Sequence, residues 1–319
     1  MFIQPQISIK KLSEYILKLS DYFIQNPLGQ TPWDKEFCQY AYRHYYFPLN
    51  YLRNQLVIQR GKQVDFFKNI DSCLDWGAGP GTASLALQNE LHFSQQYVIE
   101  KSQIALDRFQ DIYSQIKNIQ TSTHLKLGTA KTNPHKTVLV FSYSLTEMNE
   151  LPDGWDQFEA LMILEPSTRD DGRRLLDLRE KLISRGYFIW APCLHQNKCP
   201  LQIHSKNDWC HDRVHVSAPD WFKQLEQYLP FKNNTITTSY LLARKTQPHL
   251  NTENKIRLVG DSMNEKGKTR QLICRSEDRE FLTWMHKEIE PQELPRGEII
   301  NLGSDFYLKS NEIRLTKKI

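Results

Sequence analysis

The sequence predicts an α/β protein: an open, doubly wound, Rossmann-like parallel sheet, with a helical region before it and a small β-rich module after it. Three observations carry that prediction. From Ser72 onward, short apolar runs alternate with helical stretches, the pattern of strand–helix–strand units. A glycine-rich turn stands between the first of those runs and the first of those helices. After Lys245 helical periodicity gives way to short strand-like runs and turn residues.

Residues 1–62 read as an N-terminal helical cap. Phe37, Tyr40, Ala41 and Tyr45 fall at helical spacing and form a packing face, and Pro48 is the one strong breaker between Trp33 and Gly61. Residues 63–245 form the sheet domain. Strands are expected at Cys73–Trp76, Tyr97–Glu100, Leu125–Leu127, Thr137–Ser142, Leu161–Glu165, Tyr187–Ala191 and Thr235–Ala243. Helices are expected at Ala83–Leu91, Gln103–Lys117, Arg173–Ser184 and Pro219–Leu229. A segment rich in Cys, His and Pro, residues 192–216, interrupts the alternation as an insertion before the last strand. Residues 246–319 form the β-rich module, with a turn at Asn264–Gly267 and strands around Gln271–Cys274, Glu298–Leu302 and Phe306–Leu308.

The composition is that of an ordinary globular protein: 319 residues, 39% hydrophobic, 24% charged, formal net charge +4. It excludes a disordered chain, and the charge alone does not mark a nucleic-acid binder. No run approaches the roughly 18 consecutive apolar residues of a membrane span. Residues 1–19 carry Lys10, Lys11, Glu14 and Lys18 without a secretory apolar stretch or an Arg-rich, acid-poor presequence character. The expectation is a cytoplasmic monomer with no membrane partner. In such a compartment the six cysteines are not a disulfide framework. Cys38 and Cys73 stand alone and read as small buried hydrophobes.

The run Leu74-Asp-Trp-Gly-Ala-Gly-Pro-Gly-Thr82 follows a strand and opens a helix. Its glycines let the backbone turn tightly and approach a ligand at a helix N-terminus. A dinucleotide fingerprint needs its third glycine one place later, where Thr82 stands. The spacing instead resembles the first motif of class I S-adenosylmethionine (SAM) methyltransferases. That resemblance implies Asp75 near the SAM amino group and Gly77, Ala78, Gly79 and Gly81 beneath its ribose and methionine part. Glu100, at the end of the next strand, is placed to accept both ribose hydroxyl protons. After the fourth strand, Phe141-Ser-Tyr-Ser-Leu-Thr-Glu147 lacks the Asn/Asp-Pro-Pro-aromatic grip on a base nitrogen. Ser142 and Tyr143 are placed either to contact ligand or to close the strand, and no catalytic residue is assigned.

Cys193, Cys199 and Cys210 follow a Cys-x5-Cys-x10-Cys spacing, and Cys274 lies in the C-terminal module. Four thiolates suit tetrahedral zinc or a four-cysteine iron–sulfur cluster, and the spacing alone leaves both open. His195, His211 and His215 crowd the same segment but read as hydrogen-bonding or solvent-facing residues.

The runs Leu164-Glu-Pro-Ser-Thr168, Ala191-Pro-Cys-Leu-His195, Cys199-Pro-Leu201 and Asp208-Trp-Cys-His211 resemble the methyltransferase-like assembly factors of the small ribosomal subunit, which occur in mitochondria and many bacteria. The resemblance spans roughly residues 74–274. It implies a SAM-type fold, a [4Fe–4S] cluster on Cys193, Cys199, Cys210 and Cys274, and a role with the small subunit or its rRNA in assembly and translation. Leu194 and Asp212 depart from the family pattern without removing a ligand. Three functions follow in order: an rRNA methyltransferase, a non-catalytic rRNA-binding assembly factor using SAM and cluster structurally, and a zinc-stabilised small-molecule methyltransferase. Lys266, Lys268, Arg270 and Arg275 flank Cys274, but with Glu277, Asp278 and Glu280 beside them they read as a solvated mixed-charge surface rather than a phosphate site.

Overall fold

Runs such as Val138–Phe141 and Leu161–Leu164 are apolar at successive positions, as strands covered on both faces must be. They lie in the middle of a parallel sheet in the computed structural model, which describes residues 2–124, 126–129, 132–148, 150–230, 235–249 and 251–319. Contacts divide the chain into two units, Met1–Glu165 with His215–Ile236, and Pro166–Val214 with Thr237–Ile319.

The first unit begins with α1 (Ile9–Gln25), capped by the Ser8 side chain, then α2 (Glu36–Ala41) and α3 (Phe47–Gln63). The break expected at Pro48 does not occur. A π-helical turn at Tyr42–Tyr46, with Phe47 N–H donating to the Tyr42 carbonyl, carries α2 directly into α3. The turn shifts the hydrogen-bond ladder just ahead of the proline, so its ring and missing donor fall where the α pattern is already interrupted. Of the expected packing face, Ala41 and Tyr45 are buried and Phe37 and Tyr40 half-buried. Cys38 and Cys73 are fully buried, as expected.

The sheet strands follow as β1 (Ser72–Trp76), β2 (Gln95–Ile99), β3 (Ile119–Ser122), β4 (Thr137–Ser142) and β5 (Ala160–Glu165). Between them lie α4 (Thr82–Glu90), α5 (Gln103–Arg108) and α6 (Gln110–Tyr113). All pairings are parallel, in the order β3-β2-β1-β4-β5. The order reverses direction at β1, so crossovers leave it toward both edges, as in a doubly wound sheet. Two expectations are corrected. The helix expected over Gln103–Lys117 is interrupted at Phe109, whose buried ring packs edge-on against Trp33 at 5.6 Å, and it ends at Tyr113. The strand expected at Leu125–Leu127 is instead β3, earlier in the chain; Leu127 opens a 3-10 turn, and Leu125 lies outside the described residues. As the edge strand of this order, β3 carries the half-exposed sequence Ile-Gln-Thr-Ser and so offers no apolar run to read.

The second unit carries α7 (Arg169–Ser184), β6 (Phe188–Ala191), α8 (Pro200–His204) and most of β7 (Asp212–His215). The chain then returns to the first unit for α9 (Asp220–Gln227), whose Phe222 stacks on Tyr45. Within the second unit, the later part of β8 (Thr235–Arg244) pairs antiparallel with β6.

The C-terminal strands are β9 (Lys255–Glu265), β10 (Lys268–Cys274), β11 (Glu280–Met285), β12 (Ile299–Asn301), β13 (Phe306–Lys309) and β14 (Glu312–Leu315). They form one sheet in the order β12-β9-β10-β11-β14-β13, antiparallel throughout except for β11 with β14. The expected turn joins β9 to β10, with Gly267 at φ 82°. One face of the sheet builds a core around Ile256, Leu258, Ile273, Leu282, Trp284 and Ile313. Because side chains alternate along a strand, Leu272 and Cys274 on β10 turn to the other face, and there they pack with Phe281, Leu176, Cys199 and Leu201. Of the basic residues read as a mixed-charge surface, Lys268 and Arg270 pair with Glu265 and Arg275 with Glu280. Among the described residues no helix is long and apolar enough to cross a membrane.

Candidate functional site

Where strand order reverses, the loops after β1 and β4 diverge and leave a crevice at the carboxyl ends of the strands. The glycine loop occupies one side of it. Gly77 and Gly79 have φ of 69° and 53°, left-handed values that favour glycine. A Cβ on Gly77 would stand 2.7 Å from that of Ser144, so only glycine admits this approach of the two loops. The peptides on either side of Gly79 are held: its N–H donates to Glu100 Oε2 at 2.8 Å, and its carbonyl accepts from Tyr113 Oη at 2.6 Å. Glu100 Oε1 accepts from Ser102 N–H at 2.8 Å. Burial raises the Glu100 pKa, opposed by these backbone donors.

The crevice encloses about 220 Å³. Of the residues singled out from the sequence, Gly77, Ala78, Gly79, Glu100 and Ser142 line it. Asp75 and Gly81 stand outside the lining. Asp75 points beneath the first turn of α4, where its Oδ2 accepts from Ser84 Oγ at 2.7 Å and Ser84 N–H at 3.2 Å. Its Oδ1 is buried with no partner among the described residues. Burial lifts this carboxyl to a pKa of about 6, with the two Ser84 bonds pulling the other way.

Sequence reasoning missed the wall that the N-terminal region supplies. Thr31, Trp33, Tyr42 and Asn50 line the crevice, as do Lys101 and Glu147. Thr31 Oγ1 donates to Glu147 Oε1 at 2.8 Å, and Lys101 Nζ lies 3.0 Å from Glu147 Oε2, so three segments meet on one carboxylate. Asn54 Nδ2 donates to Ser142 Oγ at 3.0 Å. Tyr143 takes a φ of 61°, an uncommon strained conformation for a bulky residue and a mark of functional loops. The one signal available beforehand was a bulky Trp33 in an otherwise polar connector, and it names no pocket.

The second constellation lies wholly within the second unit. Cys193 follows β6, Cys199 precedes Pro200 at the start of α8, Cys210 precedes β7, and Cys274 ends β10. All four line one apolar cavity, together with the guanidinium-bearing side chains of Arg179 and Arg257. Side-chain bonds hold the loops that carry them. Gln196 bonds both the N–H and the carbonyl of Ile189 at 2.8 Å, Arg173 Nη1 donates to the Leu201, Ser205 and Asp208 carbonyls, and Trp209 Nε1 donates to the Ser167 carbonyl. Gly172 on α7 admits the Trp209 ring, since a Cβ there would lie 2.4 Å from it.

Burial pushes the Cys199 thiol up to about 12 and raises Cys193 and Cys274, with repulsion among the sulfurs adding to it. His195 Nε2 stands 3.4 Å from Cys274 Sγ, and burial lowers its pKa to about 4, so its ring is neutral near pH 7. Among the described residues no group of three or more His, Cys, Asp or Glu is gathered as for a single metal ion.

Asp75 generates a pH test of stability. Its folded pKa, about 6, lies above the ordinary 3.8 of an unfolded chain. Between these values the folded state keeps a proton that the unfolded state has lost. Stability therefore falls as pH rises from about 4 through 6, by up to roughly 3 kcal/mol for a shift of this size. Asp75→Asn keeps an acceptor for Ser84 and removes the ionisation. Urea unfolding at pH 4, 5, 6 and 7 should show the variant gaining on the wild type as pH rises; parallel curves would refute the assignment.

A model of the family described as mitochondrial small ribosomal subunit Rsm22 matches residues 39–288. Among curated proteins none matches the sequence. Solved structures give distant likenesses. A precorrin-6y C5,15-methyltransferase from Geobacter metallireducens is 15% identical over 58% of this chain and 88% of its own, with a TM-score of 0.37. A putative RNA methyltransferase from Pyrococcus horikoshii is 11% identical over 75% and 98%, with a TM-score of 0.35. An rRNA methylase from Streptococcus thermophilus is 12% identical over 58% and 95%, with a TM-score of 0.33. Likenesses this distant bear on neither the substrate nor the site. The family model spans most of the sequence, and the chain belongs to the mitochondrial small ribosomal subunit Rsm22 family.

Proposed function

We propose that this protein is a SAM-binding, methyltransferase-like factor of the small ribosomal subunit, with SAM in the crevice between β1 and β4 and a [4Fe–4S] cluster on Cys193, Cys199, Cys210 and Cys274. The observation that carries the first part is the convergence of the glycine loop and Glu100 on one crevice at the sheet's switch point. Glu100 spends one lone pair of each oxygen on Gly79 and Ser102, which orients the carboxylate and leaves acceptor capacity for ribose hydroxyls. SAM, when bound, supplies an electrophilic methyl group. Ala78 and Gly79 present backbone to it, and Trp33 lines the same crevice beside Gly79. The subunit link rests on family membership.

A specific observation favours a binding rather than a catalytic role. Glu147 is engaged by Lys101 and Thr31, and Glu100 by two backbone donors, so neither carboxylate at the crevice stands ready as a general base. A non-catalytic assembly factor that binds rRNA is therefore the second reading. The cytoplasmic, monomeric state expected from the sequence belongs to the proposal, with the organelle of the family's name as the alternative that fractionation would find.

For the cluster, the support is the donor set. Four soft thiols around one cavity with apolar walls suit iron–sulfur chemistry. Zinc remains the alternative that metal analysis decides.

Calorimetry should detect SAM binding by the wild type and none by Gly79→Arg, which directs a long side chain at Trp33 from a strained backbone; uptake of NAD instead of SAM would overturn the cofactor. The tagged protein should sediment with small-subunit particles or their rRNA, with association weakening as salt rises. A deletion strain with an unchanged ribosome profile, alongside a pull-down free of rRNA, would remove both readings. Anaerobically purified protein should contain iron and sulfide that Cys199→Ser loses and Cys38→Ser keeps; stoichiometric zinc without sulfide would replace the cluster by a zinc site.

A further inference from the structure

Two arginines reach the four-cysteine cavity, and both are almost wholly buried, at 1% and 2% exposure. Burying a guanidinium is costly unless every donor is used and its charge is balanced. Arg179 donates from Nε to Cys193 Sγ at 3.2 Å and from Nη2 to the His195 and Asn197 carbonyls at 2.9 and 2.8 Å. Its remaining nitrogen pairs with Glu180, a half-buried residue. Arg257 donates from Nη1 to the Gly297 carbonyl at 2.6 Å and from Nη2 to Asp212 at 2.6 Å, with Cys210 Sγ 3.5 Å away. Its Nε–H is buried and has no partner among the described residues. A native interior rarely leaves a charged donor unanswered, so this one calls for an acceptor in the cavity.

An arginine cannot shed its charge as a buried lysine can. Arg179, paired only with the half-buried Glu180, and Arg257, paired with the buried Asp212, both turn N–H groups on sulfur, and such donors stabilise an anionic, sulfur-rich occupant and work against a neutral one. Four thiolates around a metal group carry net negative charge, and donors to those sulfurs both hold the ligands and set the group's electron affinity.

We infer that Arg179 and Arg257 are the charge-balancing and positioning partners of the metal-ligating thiolates, Arg179 through Cys193 and Arg257 through Cys210. They touch the ligands and take no catalytic part. The inference rests on the reading of the four cysteines as ligands and deepens it: the site is tuned electrostatically from outside its own ligand set.

The test uses the full chain purified anaerobically, with three readouts: iron and sulfide content, reduction midpoint, and the rate of metal release to a chelator. The proteins are the wild type, Arg179→Gln, Arg179→Lys, and Arg257→Gln combined with Asp212→Asn, which avoids stranding a buried carboxylate. Wild-type and variant proteins should all load iron. Both glutamine proteins should release it about tenfold faster or more, the range seen when partners of metal ligands are removed. The Arg179→Gln midpoint should fall, because losing a positive charge and an N–H on sulfur disfavours the more negative reduced state; the double variant, whose net charge is unchanged, loses only the N–H on Cys210 and should fall less. Arg179→Lys keeps the charge and should return most of the midpoint, which a purely structural role in holding the His195–Asn197 loop would not do. Wild-type midpoints and release rates in both glutamine proteins would overturn the inference while leaving the ligands in place. If the wild type carries zinc, the release rates alone decide it. A wild type that holds no metal under these conditions would overturn the ligand reading and the inference together.

Discussion

One carboxylate at the end of β2 accepts backbone hydrogen bonds from two different loops, and the crevice at the sheet's switch point takes its shape from that arrangement. Glu100 is nearly excluded from water, so its charge must be met by donors that cannot move away, and peptide N–H groups of Gly79 and Ser102 meet it. The bond to Gly79 fixes the middle of the glycine loop against the next strand. Tyr113 fixes the same residue from its carbonyl side. With the loop held there, Gly77 can lie against Ser144 from the β4 loop, and the crevice between β1 and β4 has two stiff sides. Trp33 adds a third, seated edge-on against Phe109.

Much of this was legible in the sequence, and the parts that were not share physical causes. Strand β4 sits on its expected bounds because a strand buried on both faces carries an apolar run, and β1 lies within a residue of its own because the glycine loop marks its end. The glycine loop and Glu100 were readable because close backbone approach restricts residue type. Edge strand β3 was not, since one half-exposed strand of four residues has too little pattern to stand out. Pro48 misled because the π turn that accommodates it has no sequence signature of its own. Thr31 and Trp33 reach the crevice through tertiary packing, which no local periodicity reports. Arg179 and Arg257 carry no local sequence signal, since only the fold buries them.

The four-cysteine cavity illustrates how a period of two along a strand can deliver a side chain. On β10, Ile273 faces the apolar core of the C-terminal sheet, so its neighbours Leu272 and Cys274 face the opposite way, toward Cys199 and α7. A slip of one residue in that strand would turn Cys274 into the sheet core and the site would lose its fourth sulfur. The β9–β10 register shifts between Gln271 and Ile273, and the Gln271 side-chain amide bonds the Gly260 and Leu294 carbonyls there.

Gln196 has a consequence beyond holding its own loop. Among the described residues strand β6 pairs with β8 alone, and Ile189 turns its N–H and carbonyl away from β8 to the Gln196 amide. An outer strand with such groups unpaired is an invitation to any extended segment of another molecule, the first step toward sheet-to-sheet aggregation. The Gln196 amide answers both groups, as a peptide of an adjoining strand would. The loop that carries Cys193 thereby ends β6 as a template, so a growing sheet from a neighbouring chain finds its first rung already taken.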